Sequence, residues 1–210
     1  MRPENEIKIK ICGLTRPEDA EAVNIVLPDY IGFVFWEKSR RNVSRDKAEM
    51  LSASLDGRIR RVGVFVDEDA DLIYELLKDG IIDMAQLHGS EDEEYIKRLK
   101  SMGEFPVIKA FNINRVKDFE EIEKSPADHV MIDPGKGDGK TFEWGKLNGL
   151  KRPFFLAGGL DPENVGNAIE LLKPFAVDVS SGVETDGLKD KDKIIRFAQA
   201  CRHGNPGVIL

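Results

Sequence analysis

The sequence predicts a single-domain α/β protein, a (β/α)8 TIM barrel, and three observations carry that reading. Eight short apolar, β-branched runs recur at intervals of roughly 25 residues, the spacing of βαβ units. Segments of helical period separate them, so the strands are expected to lie parallel in one sheet. The first run ends in Cys12-Gly13-Leu14-Thr15 and lacks the G-x-G-x-x-G turn of an open dinucleotide-binding sheet; eight parallel strands instead close a ring.

The runs are Ile7–Cys12, Tyr30–Phe35, Arg61–Val66, Asp83–His88, Pro106–Phe111, His129–Asp133, Pro153–Ala157 and Ala176–Ser180. The third unit shows the logic of the others. After its strand, Asp67–Asp69 are placed to cap a helix, Leu72, Ile73, Leu76 and Leu77 form one apolar stripe, and Gly80 after Lys78 is a stop signal. Asp161, Pro162 and Glu163 are expected to open the seventh helix, with proline where no amide hydrogen is needed. Glu91–Glu94 reads as acidic complement to a helix N-terminus. The tail His203–Leu210 is expected to be a packed or frayed terminus, and residues 1–210 are read as one domain without a linker.

A chain of 210 residues, 41% hydrophobic and 33% charged, can bury one substantial core. Its formal charge of −7 argues against nucleic-acid and anionic-membrane partners but leaves room for a local basic pocket that binds a small anion. Cys12 and Cys201 belong to no C-x-x-C or Cys/His cluster, so neither a zinc site nor a disulfide framework is indicated, and a reducing, cytoplasmic setting is expected. No apolar run approaches the roughly 18 residues of a membrane span, and MRPENEIKIK lacks the apolar core of a signal peptide.

Chemistry is expected at the carboxyl ends of the strands. Cys12 closes the first strand and Asp133 the sixth, so a thiol and a carboxylic acid would emerge at one edge. A lone cysteine is more often a small buried hydrophobe; its place at a strand mouth is what marks this one. Asp133 could alternatively open an Asp-Pro turn. Asp178, between Val177 and Val179, would be an unusual barrel residue without a polar partner and is expected to face a ligand. Gly158 and Gly159 after the seventh strand, with Ser180, Ser181 and Gly182 after the eighth, let backbone amides converge on a phosphate; two such loops at adjacent strands outweigh a plain reading as tight turns.

Lys38, Arg40 and Arg41 follow the second strand, where a guanidinium would suit a carboxylate, although a charged loop is ordinarily solvated surface. His88 is a proton carrier or a hydrogen-bonded turn residue, the latter being favoured. Pro134–Thr141 ends like a P-loop in Gly139-Lys140-Thr141, but Pro134 stands where that motif needs glycine, and a glycine-hinged lid accounts for it more economically.

Taken in order along nearly the whole chain, KICGLT, GFVFWEKSRR, RVGVFV, QLHG, DPGKGDGKTFEW, LAGGL and PFAVDVSSGVE resemble the phosphoribosylanthranilate isomerases of tryptophan biosynthesis. Related phosphosugar barrels share the phosphate loops but not a Cys-Gly first strand paired with an Asp-initiated Gly-Lys-Thr-Phe loop. The resemblance implies an Amadori rearrangement of N-(5-phosphoribosyl)anthranilate without cofactor or metal. It implies Asp133 as the general acid on the furanose ring oxygen and Cys12 as the general base at C2. Arg41 then meets the anthranilate carboxylate, Asp178 contacts substrate, and Gly159, Ser180, Ser181 and Gly182 grip the phosphate. Such roles ask Asp133 to hold a proton and Cys12 to lose one below the usual thiol value of about 8.5.

Two rival readings differ in class. A phosphosugar epimerase or a dual-substrate isomerase of histidine and tryptophan synthesis would be expected to use paired aspartates or a metal, and Cys12 speaks against both. A non-catalytic phosphate-binding barrel is opposed by the intact Cys12 and Asp133. The expected partner is a small phosphorylated molecule, and the sequence leaves a homodimer open.

Overall fold

The computed structural model describes residues 7–133, 147 and 149–203. The lid expected over Pro134–Thr141 and the tail after His203 lie outside the described residues. Every one of the eight apolar runs is a strand: β1 Lys8–Cys12, β2 Tyr30–Phe35, β3 Arg60–Phe65, β4 Met84–Leu87, β5 Val107–Asn112, β6 His129–Asp133, β7 Phe154–Leu156 and β8 Ala176–Val179. Each pairs in parallel with the next, and β8 pairs back onto β1, so the sheet closes into a barrel. Among the described residues the outer layer is α1 Pro17–Val26, α2 Arg45–Ala53, α3 Ala70–Lys78, α4 Glu93–Ser101, α5 Glu120–Glu123, α6 Val165–Leu172 and α7 Lys191–His203. A small hairpin, β9 Glu184–Thr185 and β10 Leu188–Lys189, sits between β8 and α7.

Closure gives the chain two apolar regions. Ile9, Ile11, Ile31, Phe33, Val130, Ile132 and Val177 pack outward against the helices in the larger one. Tyr30, Val62, Met84, Ile108, Met131, Phe155 and Ala176 fill the inside. Because side chains alternate along a strand, this partition also assigns the polar residues between them. Lys10 and Cys12 alternate with Ile9 and Ile11, and Asp178 follows Val177, so all three point into the ring.

The helix starts follow local chemistry. Asp69 accepts a hydrogen bond from the Asp71 amide, Ser44 from that of Lys47 and Asp92 from that of Tyr95, satisfying amides that have no intrahelical acceptor. Three expectations need correction. Leu72 is 53% exposed, and the buried stripe of α3 is Ala70, Ile73 and Leu76, because the helix begins one residue after Asp69 and turns Leu72 outward. Asp161 caps a turn by accepting from the Glu163 and Asn164 amides, and α6 starts later, at Val165. Glu91 is no surface helix residue: it is buried, paired with Lys109 at 2.7 Å, and accepts from the amides of Asp67 and Gly89.

At the amino-terminal rim one device recurs. The aspartate just before β2, β4 and β6 accepts a backbone amide from the preceding strand: Asp29 from Ile9 at 3.0 Å, Asp83 from Arg61 at 2.7 Å and Asp128 from Val107 at 2.9 Å. These carboxylates fix strand ends where the ladder has run out of carbonyls. Asp29→Ala or Asp128→Ala leaves a buried amide unsatisfied and is expected to lower stability by about 1–3 kcal/mol, read as a fall in urea midpoint at unchanged m-value. Burial pushes the Asp128 carboxyl up, but the hydrogen bonds from Lys100 and Val107 and the Lys100 charge outweigh it and hold the group below the ordinary range. Its contribution is therefore complete above the unfolded carboxylate value of about 3.9 and is lost as pH falls through the lower folded value. Acid unfolding of Asp128→Ala, followed by circular dichroism, should accordingly show a shallower pH dependence than the wild type.

Candidate active site

The seam between β1 and β8 carries a buried ion pair. Register sets Lys10 beside Asp178, and Nζ donates to Oδ1 at 2.9 Å with Lys10 wholly buried. Two residues further along β1, on the same face, Cys12 comes under the influence of the Lys10 charge. Its neighbour on β2 is Gly32, where a Cβ would lie 2.6 Å from Sγ, so the glycine is what leaves room for the thiol. Gly13, at φ +84°, serves Arg41 in the same way: a Cβ there would stand 2.4 Å from the arginine Cδ. Ser180 donates its hydroxyl to the Cys12 carbonyl at 3.0 Å and ties the two strand ends together.

Protonation follows from this burial. Cys12 is only 8% exposed, and desolvation pushes its thiol up; the ammonium groups of Lys10 and Lys189 oppose the shift, and the Asp178 charge adds to it. The thiol of this arrangement is therefore protonated at neutral pH, opposite to the lowered value expected from the sequence. Burial likewise raises Asp178 despite the pull of Lys10, with His88 and Asp133 also acting on it. Lys10 stays an ammonium, because Asp178 and Cys12 together outweigh the cost of its burial.

Across the barrel, Asp133 ends β6 and His88 follows β4, and Nε2 of His88 stands 3.2 Å from Oδ2 of Asp133. Gln86, buried on β4, places its amide nitrogen 3.1 Å from Nδ1 of the same imidazole. His88 is thus a bridge between an interior amide and a strand-end carboxyl, more than the simple turn residue favoured by the sequence. Oε1 of Gln86 is buried without a hydrogen-bond partner among the described residues. With the amide turned over, Oε1 would accept from a protonated Nδ1, and Nε2 would accept from a protonated Asp133. The second arrangement is the one a general acid needs.

Arg41 carries a fork-shaped contact, but its partner is internal. Nε and Nη2 donate to the two carboxylate oxygens of Glu184 at 2.6 and 2.9 Å, Arg40 adds a contact at 2.6 Å, and Lys189 another at 2.8 Å. Glu184 is held below the usual carboxylate range: burial pushes it up, but the hydrogen bonds and charges of Arg41 and Lys189 outweigh that. Three cations surround one carboxylate, so the cluster keeps an excess of positive charge. Arg41 is 21% exposed and Arg40 60%, which separates the neighbours: Arg41 lies over Gly13 and Arg40 on the surface. Lys38 is exposed.

The two glycine loops meet. A Cβ on Gly182 would fall 1.9 Å from the Leu160 carbonyl oxygen, so the loops after β7 and β8 touch through backbone alone. Ser181–Val183 form a single 3-10 turn, whose first amides have no acceptor within the turn. Gly158 and Gly159 have φ of +84° and +68°, and they do not abut a helix start, because α6 begins only at Val165. The Ser180 hydroxyl is already committed to Cys12, leaving its backbone for any anion grip.

Sequence reasoning missed Lys10, Gln86, Glu184 and Lys189. Lys10 was legible in principle: in IKIKIC a lysine shares the face of Cys12. Glu184 gave no such signal, since its pairing with Arg40 and Arg41, about 140 positions away, depends on the hairpin folding back over the mouth, and Lys189 meets Glu184 only across that hairpin.

A closed parallel ring whose reactive side chains gather at the carboxyl ends of its strands defines a (β/α)8-barrel enzyme with its site in the mouth. The chain belongs to the N-(5′-phosphoribosyl)anthranilate isomerase family, whose model matches residues 9–200. The N-(5′-phosphoribosyl)anthranilate isomerase of Clostridium acetobutylicum is 46% identical over 205 residues, covering 93% of this chain and 98% of the relative. The crystal structure of the phosphoribosyl anthranilate isomerase from Thermus thermophilus superposes with a TM-score of 0.82 at 32% identity, over 91% of this chain and 96% of that one. A phosphoribosyl anthranilate isomerase in complex with reduced 1-(o-carboxyphenylamino)-1-deoxyribulose 5-phosphate superposes at 0.79 with 35% identity, over 93% and 98%. Membership makes this chain an isomerase of tryptophan biosynthesis. No helix among the described residues is long and apolar enough to cross a membrane.

Removing the carboxylate at the centre of the cation cluster tests its structural weight. Glu184→Ala leaves the buried Lys189 ammonium without its partner and is expected to cost about 3–5 kcal/mol of stability, measured by urea or thermal denaturation.

Proposed function

We propose that this chain, as a single barrel domain, converts N-(5-phosphoribosyl)anthranilate to 1-(2-carboxyphenylamino)-1-deoxyribulose 5-phosphate, with Asp133 as general acid and Cys12 as general base. The observation that carries the reading is the placement of these two groups, at the ends of β6 and β1 in the mouth of one ring, in a chain of this family. Asp133 gives its proton to the furanose ring oxygen as the C1–O bond breaks, and the anilino nitrogen's electron pair forms the C=N bond of a Schiff base. Cys12 then removes the C2 proton, and the electrons of that bond neutralise the iminium as an enolamine. Tautomerisation of the enolamine gives the ketone. The C2 hydrogen leaves as a proton while its electron pair stays within the substrate, so the rearrangement needs no external oxidant.

Arg41 and its cation-rich surroundings suit the anthranilate carboxylate, with Glu184 holding the guanidinium fork in place. The touching loops after β7 and β8 suit the phosphate. The analogue in the related complex has both groups, an o-carboxyphenylamino end and a 5-phosphate end, which supports assigning two anion subsites here. A cytoplasmic enzyme acting on a small phosphorylated substrate, alone or as a homodimer, fits this reading.

Incubation with freshly made phosphoribosylanthranilate, following loss of its anthranilate-type fluorescence, tests the activity. Cys12→Ala and Asp133→Asn should each reduce turnover by about 10²–10⁴ with the fold retained; near-wild-type rates in either variant would remove that residue from the mechanism. Arg41→Lys should lower kcat/KM markedly, since an ammonium cannot reproduce the fork, whereas Arg40→Lys should behave as a surface change. Gly159→Ala is expected to raise KM far more than it lowers kcat, and inorganic phosphate should compete with substrate; a dephosphorylated analogue that reacts equally well would sink the anion grip.

A further inference from the structure

Lys10 takes no part in the proton transfers just described, yet it is the most deeply buried charge of the mouth. An ammonium removed from water persists only with compensation. Here Oδ1 of Asp178 stands at 2.9 Å, and the Cys12 thiol, two residues along the same strand face, also acts on the charge. Strand alternation puts Lys10 and Cys12 on one face, and the β1–β8 register puts Asp178 beside Lys10, so the three groups form a chain in the order thiol, ammonium, carboxylate.

Charge makes this order consequential. A thiol, an ammonium and a carboxylate sum to zero. Losing the thiol proton to solvent would leave a net negative charge in a dry interior, whereas moving it onto Asp178 keeps the sum at zero. We propose that Lys10 is a positioning residue that makes Cys12 a base by relay: the S–H proton passes to Nζ while Nζ passes one of its own to Oδ1 of Asp178. One S–H and one N–H bond break, one N–H and one O–H bond form, and the electron pair stays on sulfur. The products are a thiolate, an ammonium and a neutral carboxylic acid.

The surroundings agree. Burial pushes both Cys12 and Asp178 up, so the interior favours the neutral form of each. The other charges that act on Cys12 are Lys189 from β10 and Arg41 from the loop after β2, both favouring the thiolate. His88 and Asp133 act on Asp178 from the far side. The cycle also closes: after Cys12 takes the C2 proton, Asp178 holds one proton too many and Asp133, having protonated the ring oxygen, one too few. Return of that proton across the mouth resets the site.

This inference rests on Cys12 being the base, and its test separates the two. Cys12 ionisation is read in the substrate-free protein as the pH dependence of iodoacetamide alkylation, resolved from Cys201 by peptide mass spectrometry, alongside kcat and KM. Asp178→Asn cannot accept the proton but leaves the Lys10 charge uncompensated beside the thiol. Its alkylation midpoint should therefore move to lower pH while kcat falls by about 10²-fold. A merely structural role would not drive ionisation and turnover in opposite directions. Lys10→Arg keeps the charge and ends the relay, so alkylation should stay near wild type while kcat drops at least tenfold. Lys10→Met should move the midpoint to higher pH; where that variant does not fold, the other two carry the test. Retention of kcat within twofold in Asp178→Asn or Lys10→Arg, with Cys12→Ala inactive, overturns the relay and leaves the base assignment standing. Turnover that survives Cys12→Ala overturns both.

Discussion

Where β8 returns to β1 the ring closes, and at that seam Lys10 and Asp178 face each other at 2.9 Å inside the barrel. Neither charge could be kept there alone, since an unpaired ion in a dry interior costs several kcal/mol. Their pairing therefore requires the register that brings β8 beside β1, and the same register fixes what stands above it. Cys12 is placed next to the ammonium, Ser180 bonds across to the Cys12 carbonyl, and the loops after β7 and β8 come into contact. A seam that could have been an apolar contact instead carries the charges on which the thiol's protonation depends.

The hairpin after β8 extends this dependence outward. Glu184 draws Arg41 and Arg40 from the loop after β2 and Lys189 from its own hairpin onto one carboxylate. Long cationic side chains lose rotamer freedom when they are fixed, and a shared buried partner is what offsets that loss. The result is an ordered guanidinium over Gly13 with positive charge left unspent. In the function proposed above, the carboxylate subsite and the acid–base pair would thus share one set of supports.

Glycine acts here by making room as well as by bending the chain. At Gly32 the missing Cβ is the space that Sγ occupies, and at Gly182 it is the space that lets two backbones touch. Neither residue has the positive φ by which glycines are usually recognised in turns, which is why Gly32 drew no notice within a strand. Gly13 combines both uses, with φ +84° and the Arg41 stem above it.

The sequence by itself determined the ring. The spacing and alternation of apolar residues are local and periodic, so all eight strands and the strand-end positions of Cys12 and Asp133 could be read from it. Residue chemistry, aided by family resemblance, was enough to single out Arg41, Asp178 and the two glycine loops. Only the tertiary structure decided which charges meet. That Asp178 answers Lys10, that Glu184 rather than solvent receives Arg41, and that His88 joins Gln86 to Asp133 all depend on register and loop return between distant segments. It also set the protonation of Cys12, because desolvation is a property of the closed interior and of no single stretch of chain.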